Sequence, residues 1–585
     1  MHTVRYGSFV ARIVHLYDPK YKLERGHVLE YTSCELRRLT RGKARFTMDV
    51  VCAVGMMRYL ENRSREDTCG EMRWRHGVPL SAGTVSNHAL EFLARFELYH
   101  RRHFGRLVEA MDKNGGYVLG ADGTGDGGSD RILLLMDLLT GWALSCGPIP
   151  SESSKHIGPY FEDIKERAGT PLAFVRDMGL GLRKAGERVF PDLPTRECNY
   201  HFLRDVGEDV MEDTYMKLRK AMIDLRIRPD LDRRRKEIGA EAAERDVDLR
   251  ATMCALKGGA PVEDDGTVVL AETYHLVSWI LNYREDAHGL RFPYSIPWAD
   301  LYRRCRQAQG AASMIARTAE RAGLDTGDIE TVRRIVERPF NSRESRSADT
   351  LGRRLADAYE LFSELRGVLR MSEDKGDIPR DQLLVSDEGA TVMERELAAL
   401  RDRLEKVRKE RTITPEEEVV LYHIKKHWKG LVVPNITVNV DGKTKNIAVP
   451  RAVSLLDTRF GRVKTGIRKR TGRKDTGYEL NRYGVLLCLV QNLHSDEYVK
   501  TMFGSIDRMP EELGTIPKDE VDRLTAEFKD ARCRYDVTRA RGEGEFETFK
   551  EVCRRVLKDV ESHIIISHLN RPLLAGQMAL APTDS

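Results

Sequence analysis

The chain has 585 residues, 41% hydrophobic and 32% charged, with a formal net charge of +5. That length exceeds one ordinary core and points to three or four domains. No apolar run approaches the roughly 18–20 residues of a membrane span, and the ten cysteines form no Cys-x-x-Cys pair. An integral helical membrane protein, a zinc ribbon and a dense disulfide framework are therefore not indicated.

The opening stretch MHTVRYGSFVARIVHLYDPK lacks a secretory signal pattern, so a reducing cytoplasm is expected, with nucleoid association in a bacterium. Charge placement says more than net charge. Residues 1–110 hold 19 Lys and Arg against 12 Asp and Glu, and Thr458–Lys474 holds eight basic residues and no acid. Two basic regions on a near-neutral chain suit a nucleic-acid partner, although solvated surface produces the same pattern.

In chain order, residues 1–60 mix short apolar runs with turns. Residues 62–96 read as helix, turn, helix: Gly77 and Pro79 break the first helix, and Ser81 is a good N-cap for the second. A helix-turn-helix there makes residues 1–112 a DNA-binding region. Thr84, Ser86, Asn87 and His88 would reach base edges and Arg73 and Arg75 would contact phosphates. A plain helical hairpin gives the same pattern.

From Gly115 the pattern switches. YVLGAD (117–122) and PLAFVRD (171–177) are short strands that each end on an acid. Between them RILLLMDLLTGWALSCGPI (131–149) gives two strands, and residues 151–169 a helix. With a helix at 182–191 and a strand from 195, the order over 115–206 is β-ββ-α-β-α-β, a mixed α/β sheet. Residues 207–450 form a mainly helical insertion. It includes a coiled-coil-like arm at 390–411 and ends in a hairpin turning at Asp441-Gly442. Helices resume over 451–503, and a helical tail fills 504–585.

Asp122 and Asp177 stand at the C-terminal ends of two strands, the edge where ligands gather in open α/β sheets. Neighbouring carboxylates repel, and a divalent cation between them relieves this. Oxygen-only ligands suit Mg²⁺ or Mn²⁺, and two such ions support in-line phosphoryl transfer. A strand-end Asp that merely caps a turn is the bland alternative. Asp126 and Asp130, in a Gly-rich turn, read as solvated, and Asp137 as the cap of the Leu139-Thr140-Gly141 turn.

These residues resemble a family. ADGTGDGGSDRILLLMDLLTGWALS looks like the first strands of RNase H-like transposases. VRDMGLGLRKAGERVFPDLPTRECNYHFLRDV resembles the second-acid region of the Mutator-like and hAT group, with Cys198 and His201 in place of its Cys-x-x-His motif. The resemblance implies an RNase H-like catalytic core interrupted by a large all-α insertion. It also implies a DDE/DDD-type transposase that cuts and joins double-stranded DNA at mobile-element ends, as a homodimer or larger. Mg²⁺ or Mn²⁺, two ions by analogy, would sit on Asp122, Asp177 and a third acid.

The family expects Glu at a helix start with a basic residue seven positions on. Here Asp457 stands at that place, with Lys464 at the seventh position to bind a phosphate. Glu479 is the alternative, followed by Leu486. Cys198 and His201 would lie near the site; half a zinc site, or a buried Cys beside a satisfied His, are the other readings. Arg459, Arg462, Arg468, Lys469, Arg470, Arg473 and Lys474 would hold the cut strand. Trp279, Trp298 and Trp428 either stack on a base or pack in the core. An inactive, domesticated DNA-binding relative and an RNase H-like nuclease are the competing functions.

Overall fold

The computed structural model describes residues 45–527 apart from 127–130, 261, 263, 285–290, 342–344 and 372–385, together with short pieces before residue 32. Asp130 and the tail beyond 527 thus lie outside the described residues.

Helix α1 (Met48–Tyr59) is apolar nearly all round and is buried accordingly. Helix α2 (Arg65–His76) starts with a reciprocal capping box between Ser64 and Asp67. It ends on Gly77 at φ 64°, whose N–H closes onto Arg73. After the turn, the Ser81 side chain accepts from Thr84 N–H and starts α3 (Ala82–Arg102). The helix, turn, helix expected over 62–96 is therefore present as local structure.

Those helices share one hydrophobic core with the sheet. A Cβ at Gly55 would lie 2.1 Å from the Phe92 ring, so α1 meets α3 at a glycine. The buried Arg95 of α3 donates to the Leu513 and Ile516 carbonyls. The buried His100 bridges Tyr498 Oη at 2.8 Å and the Leu144 carbonyl at 3.0 Å. Helix α4 (Phe104–Lys113) then leads to the sheet.

The sheet has five strands: β1 (Val118–Thr124), β2 (Arg131–Asp137), β3 (Trp142–Ile149), β4 (Ala173–Arg176) and β5 (Thr195–Glu197). Its spatial order is β3-β2-β1-β4-β5. The first three run antiparallel, and β1, β4 and β5 run parallel. Asp137 caps the β2–β3 turn as expected, accepting from Leu139 and Thr140 N–H, and it also binds Val118 N–H.

Helices α5 (Ser154–Ala168) and α6 (Leu180–Val189) cover one face, where Phe161 meets Phe174 of β4 edge-on at 5.2 Å. The other face carries α16 (Ser454–Thr471) and α17 (Gly477–Val490); a Cβ at Gly484 would lie 2.0 Å from Ile132 of β2. The α/β core with a helical insertion is thus observed.

The insertion begins earlier than residue 207. Helix α7 (Asn199–Asp224) runs unbroken from the end of β5 into the helical layer, because nothing between 199 and 224 breaks a helix. Its glycine, Gly207, lies under Pro293, where a Cβ would stand 2.4 Å away. Helices α8 (Ile227–Glu244) to α15 (Pro415–Leu431) follow, including α13 (Ser345–Val368), which packs along α7. The arm is a helical pair, α14 (Asp387–Lys409) against α15, with Met393, Leu397, Leu400 and Leu404 on its buried stripe. The hairpin β6 (Ile436–Val440) and β7 (Lys443–Ile447) turns at Asp441 and Gly442, both at positive φ (52° and 76°). After α17 come a 3₁₀ turn, Gln491–His494, and α18 (Asp496–Phe503). Among the described residues no helix is long and apolar enough to cross a membrane.

Burial lowers His100 to about 4 from its ordinary 6.5. The unfolded chain therefore binds this proton more readily, so the stabilisation present above pH 6.5 is lost as pH falls toward 4. Denaturant melts should show about 3 kcal/mol less stability at the acid end of that window. His100→Asn should be less stable at neutral pH but flatter across it.

Candidate active site: an acidic triad beside a basic cleft

The register of β1 against β4 pairs Ala121 with Arg176, so Asp122 and Asp177 occupy the next level of two adjacent parallel strands. Strand spacing is about 4.8 Å. Alternation along the strand decides the face: Asp122 is opposite Leu134 on β2, on the same side as Ile132, and that side is covered by α16 and α17. Asp457 lies in the first turn of α16.

The three acids act on one another electrostatically. Asp122, 9% exposed, is pushed well above the usual carboxylate range by burial, then by repulsion from Asp457 and from Asp177. Asp457 is exposed on the surface of α16, but the surrounding cleft walls push it up to about 6, with Arg204 opposing and Asp177 adding to the rise. Asp122 Oδ1 accepts from Gly123 N–H at 2.7 Å, and Asp177 Oδ1 from Gly179 N–H at 2.8 Å. Glu479 does not join them: its charge acts on Arg58, Tyr59, Arg470 and Tyr483, on the α1 side of α17.

A fourth carboxylate, Glu152 at the β3–α5 junction, also acts on Asp122 and pairs with Arg131. Its position between two serines gave no signal in the sequence. Hard oxygen donors in mutual repulsion fit a divalent cation. Among the described residues, however, no three His, Cys, Asp or Glu side chains are already gathered as a metal cage. The carboxylates are near enough to repel, and a cation would have to draw them closer.

A cleft of about 960 Å³ opens beside Asp457. One stripe of α16 forms its floor, with Asp457, Thr458, Gly461, Arg462, Thr465 and Lys469 at helical spacing, and α7 contributes Tyr200, His201 and Arg204. Arg204, absent from the sequence reading, is signalled only by its place three residues after His201. Burial and Arg204 lower His201 to about 4, so its imidazole is neutral.

Cys198 has a different task. It is fully buried, burial pushes its thiol up to about 12, and its Sγ accepts Val453 N–H at 3.5 Å. The adjacent Asn199 N–H donates to the Arg451 carbonyl at 2.9 Å. The Cys-x-x-His turn thereby holds the segment that leads into Asp457.

The expected DNA contacts divide. Arg462, Arg468 and Lys469 are exposed. Arg459 is corrected: its guanidinium turns inward to the Cys488 and Gly141 carbonyls and Asn492 Oδ1. Arg470 is corrected too, being 7% exposed, bonded to Asn62 Oδ1 and laid over the Tyr59 ring at 5.0 Å. Both fall on the face of α16 that packs. Lys464 donates to the Gly125 carbonyl at 3.0 Å and so anchors the end of β1 rather than standing ready for a phosphate. Asp126 is not simply solvated, since it accepts from Thr476 Oγ1 and faces Arg468 at 3.9 Å.

In the N-terminal helices Asn87 is exposed and Thr84 half-buried. Ser86 bonds back to the Ala82 carbonyl, and His88 turns edge-on to Phe46 at 5.1 Å. Arg73 and Arg75 are exposed and flank Trp74, which is 87% exposed and was passed over in the sequence. Trp298 packs near Tyr283, and Trp428 lies under Arg401; Trp279 is 40% exposed. Comparison with protein-family models and with curated proteins yields no match.

Asp122→Asn removes a buried, crowded charge and should raise the melting temperature of the metal-free protein. It should also abolish stabilisation by Mn²⁺, which at a hundredfold excess over Kd would be about 2.7 kcal/mol in the parent. Because Asp457 protonates near 6, Mn²⁺ affinity should fall as pH drops through that value, measured by calorimetric titration.

Proposed function

We propose that the chain is a metal-dependent polynucleotidyl transferase acting on double-stranded DNA, a transposase with an RNase H-like core. The observation that carries this is the mutual electrostatic influence of Asp122, Asp177 and Asp457, with Asp457 itself lining a cleft whose other charged side chains include Arg204, Arg462 and Lys469. The strand order, with three antiparallel strands followed by two parallel ones, fits the core that the sequence resemblance implies. The position of Asp457 after a helical insertion fits it as well.

When bound, Mg²⁺ or Mn²⁺ would activate a water or 3′-hydroxyl and stabilise the leaving oxygen. Asp122, Asp177 and Asp457 would hold the ions. The chain's own groups do the rest. Arg462 and Lys469 lie along the cleft floor, where phosphates flanking the cut would rest. Neutral His201 offers a hydrogen bond to the strand without adding charge. Arg204 balances Asp457 across the cleft. Thr458, Gly461 and Thr465 keep the floor low, so a nucleic-acid backbone can approach α16. Transposition joins two ends, which calls for a homodimer or larger assembly.

Asp122→Asn and Asp177→Asn should each lower cleavage and strand transfer on a terminal-repeat substrate by more than about 100-fold, beyond the loss typical of a ligand's supporting partner. Joined products in the parent identify a transposase; cleaved but unjoined products identify a nuclease. DNA binding that persists in both variants, with no cleavage in the parent, would identify a DNA-binding relative. Arg462→Gln and Lys469→Gln should weaken binding across sequences and each reduce the salt dependence by about one phosphate contact.

A further inference from the structure

Strand β5 ends on Glu197, which is 8% exposed. Arg176 Nη2 donates to Glu197 Oε1 at 2.9 Å, and the same guanidinium donates through Nη1 to the backbone carbonyl of Asp177 at 2.7 Å. The second oxygen of Glu197 meets His427 Nδ1, on α15 of the insertion, at 2.6 Å. Three residues on, a Cβ at Gly430 would stand 2.6 Å from Glu197 Cγ, so α15 seats this closely because residue 430 is glycine. The His427 ring stacks on His423 (6.0 Å, 17°), and His423 Nε2 reaches Asp209 Oδ2 on α7 at 2.8 Å.

The network is more than a buried ion pair, which would be weak evidence for stability by itself. The β1–β4 and β4–β5 ladders both end at Arg176. The Asp177 carbonyl lies just past them, and Arg176 supplies its donor. A planar guanidinium fixed by a carboxylate has a defined direction. Glu197 is in turn fixed by the insertion.

We propose that His427, acting through Glu197 and Arg176, is a positioning residue for Asp177, so that insertion helix α15 sets where the second acid of the triad stands. This rests on the metal-dependent reading above. The insertion is then part of the catalytic site's frame, and its packing governs the metal affinity of a carboxylate it never touches.

The test uses the full chain with His427→Ala, His427→Asn, Glu197→Gln and Asp122→Asn. Mn²⁺ alone is titrated by calorimetry, DNA affinity is measured in chelator, and folding is followed by circular dichroism. His427→Ala and Glu197→Gln should weaken Mn²⁺ binding about tenfold, the scale of outer-shell partners, with metal-free DNA affinity unchanged. His427→Asn, whose amide nitrogen replaces the Nδ1 donor, should restore most of it. Wild-type Mn²⁺ affinity in folded His427→Ala overturns the proposal, as does equal loss in both His427 variants that tracks loss of fold. If the parent binds no Mn²⁺ and matches Asp122→Asn, the metal reading fails and the proposal falls with it. If only Asp122→Asn loses binding, the proposal alone falls.

Discussion

The buried Asp122, at the edge of a sheet, is repelled by Asp457 and Asp177, and its burial sharpens the repulsion. Two features of backbone geometry impose the arrangement. The parallel register of β1 and β4 sets Asp122 and Asp177 side by side, and α16 is packed so that its first turn overhangs them. The neighbouring cations mostly hold backbone rather than neutralise the acids. Lys464 bonds the Gly125 carbonyl and Arg176 the Asp177 carbonyl, while Arg204 pairs with Asp205 and Glu208 and acts on Asp457 only through its charge. The site keeps an unmet demand for positive charge, and the cleft beside it keeps one for negative charge.

Holding α16 in place is a task shared by segments far apart in the chain. Cys198 and Asn199 grip the lead-in at Val453 and Arg451. The buried Arg451 reaches the Leu369 and Arg370 carbonyls, and the buried Arg196 reaches those of Leu431 and Val433. Each guanidinium satisfies carbonyls where a helix of the insertion ends, a polar solution to backbone groups left without ladder or helix partners. Arg196 thus ties the exit of the insertion to the sheet, and Arg451 ties the end of α13 to the segment that leads into α16.

The N-terminal helices are equally committed. Arg95, Tyr99 and His100 of α3 bond to Leu513, Met502 and Leu144. On the cleft side, Asn62 of the α1–α2 turn receives Arg470 and lies against Gly466, where a Cβ would be 2.2 Å from its side chain. A DNA segment bound by α2 and α3 would therefore be held at a fixed offset from the cleft, because the two share one core rather than a linker.

What the sequence determined by itself was local. Apolar runs ending on acids marked β1 and β4. Gly77 and Ser81 marked helix ends, and Asp441-Gly442 marked a turn needing two positive φ values. These signals are set by neighbours a few residues apart, where backbone sterics and capping act. The sequence left Glu479 open beside Asp457, and tertiary structure decided which of the two acts on Asp122. Asp457 and Glu479 both begin helices, and only the packing of α16 and α17 tells them apart. It decided that Arg459 and Arg470 turn inward while Arg462 and Lys469 face the cleft, since a count of basic residues does not say which side of a helix packs. It also brought Glu152 to Asp122, and His427 to Glu197 across 230 residues. Such pairs depend on how whole elements settle against one another, and no periodicity within a single element records that.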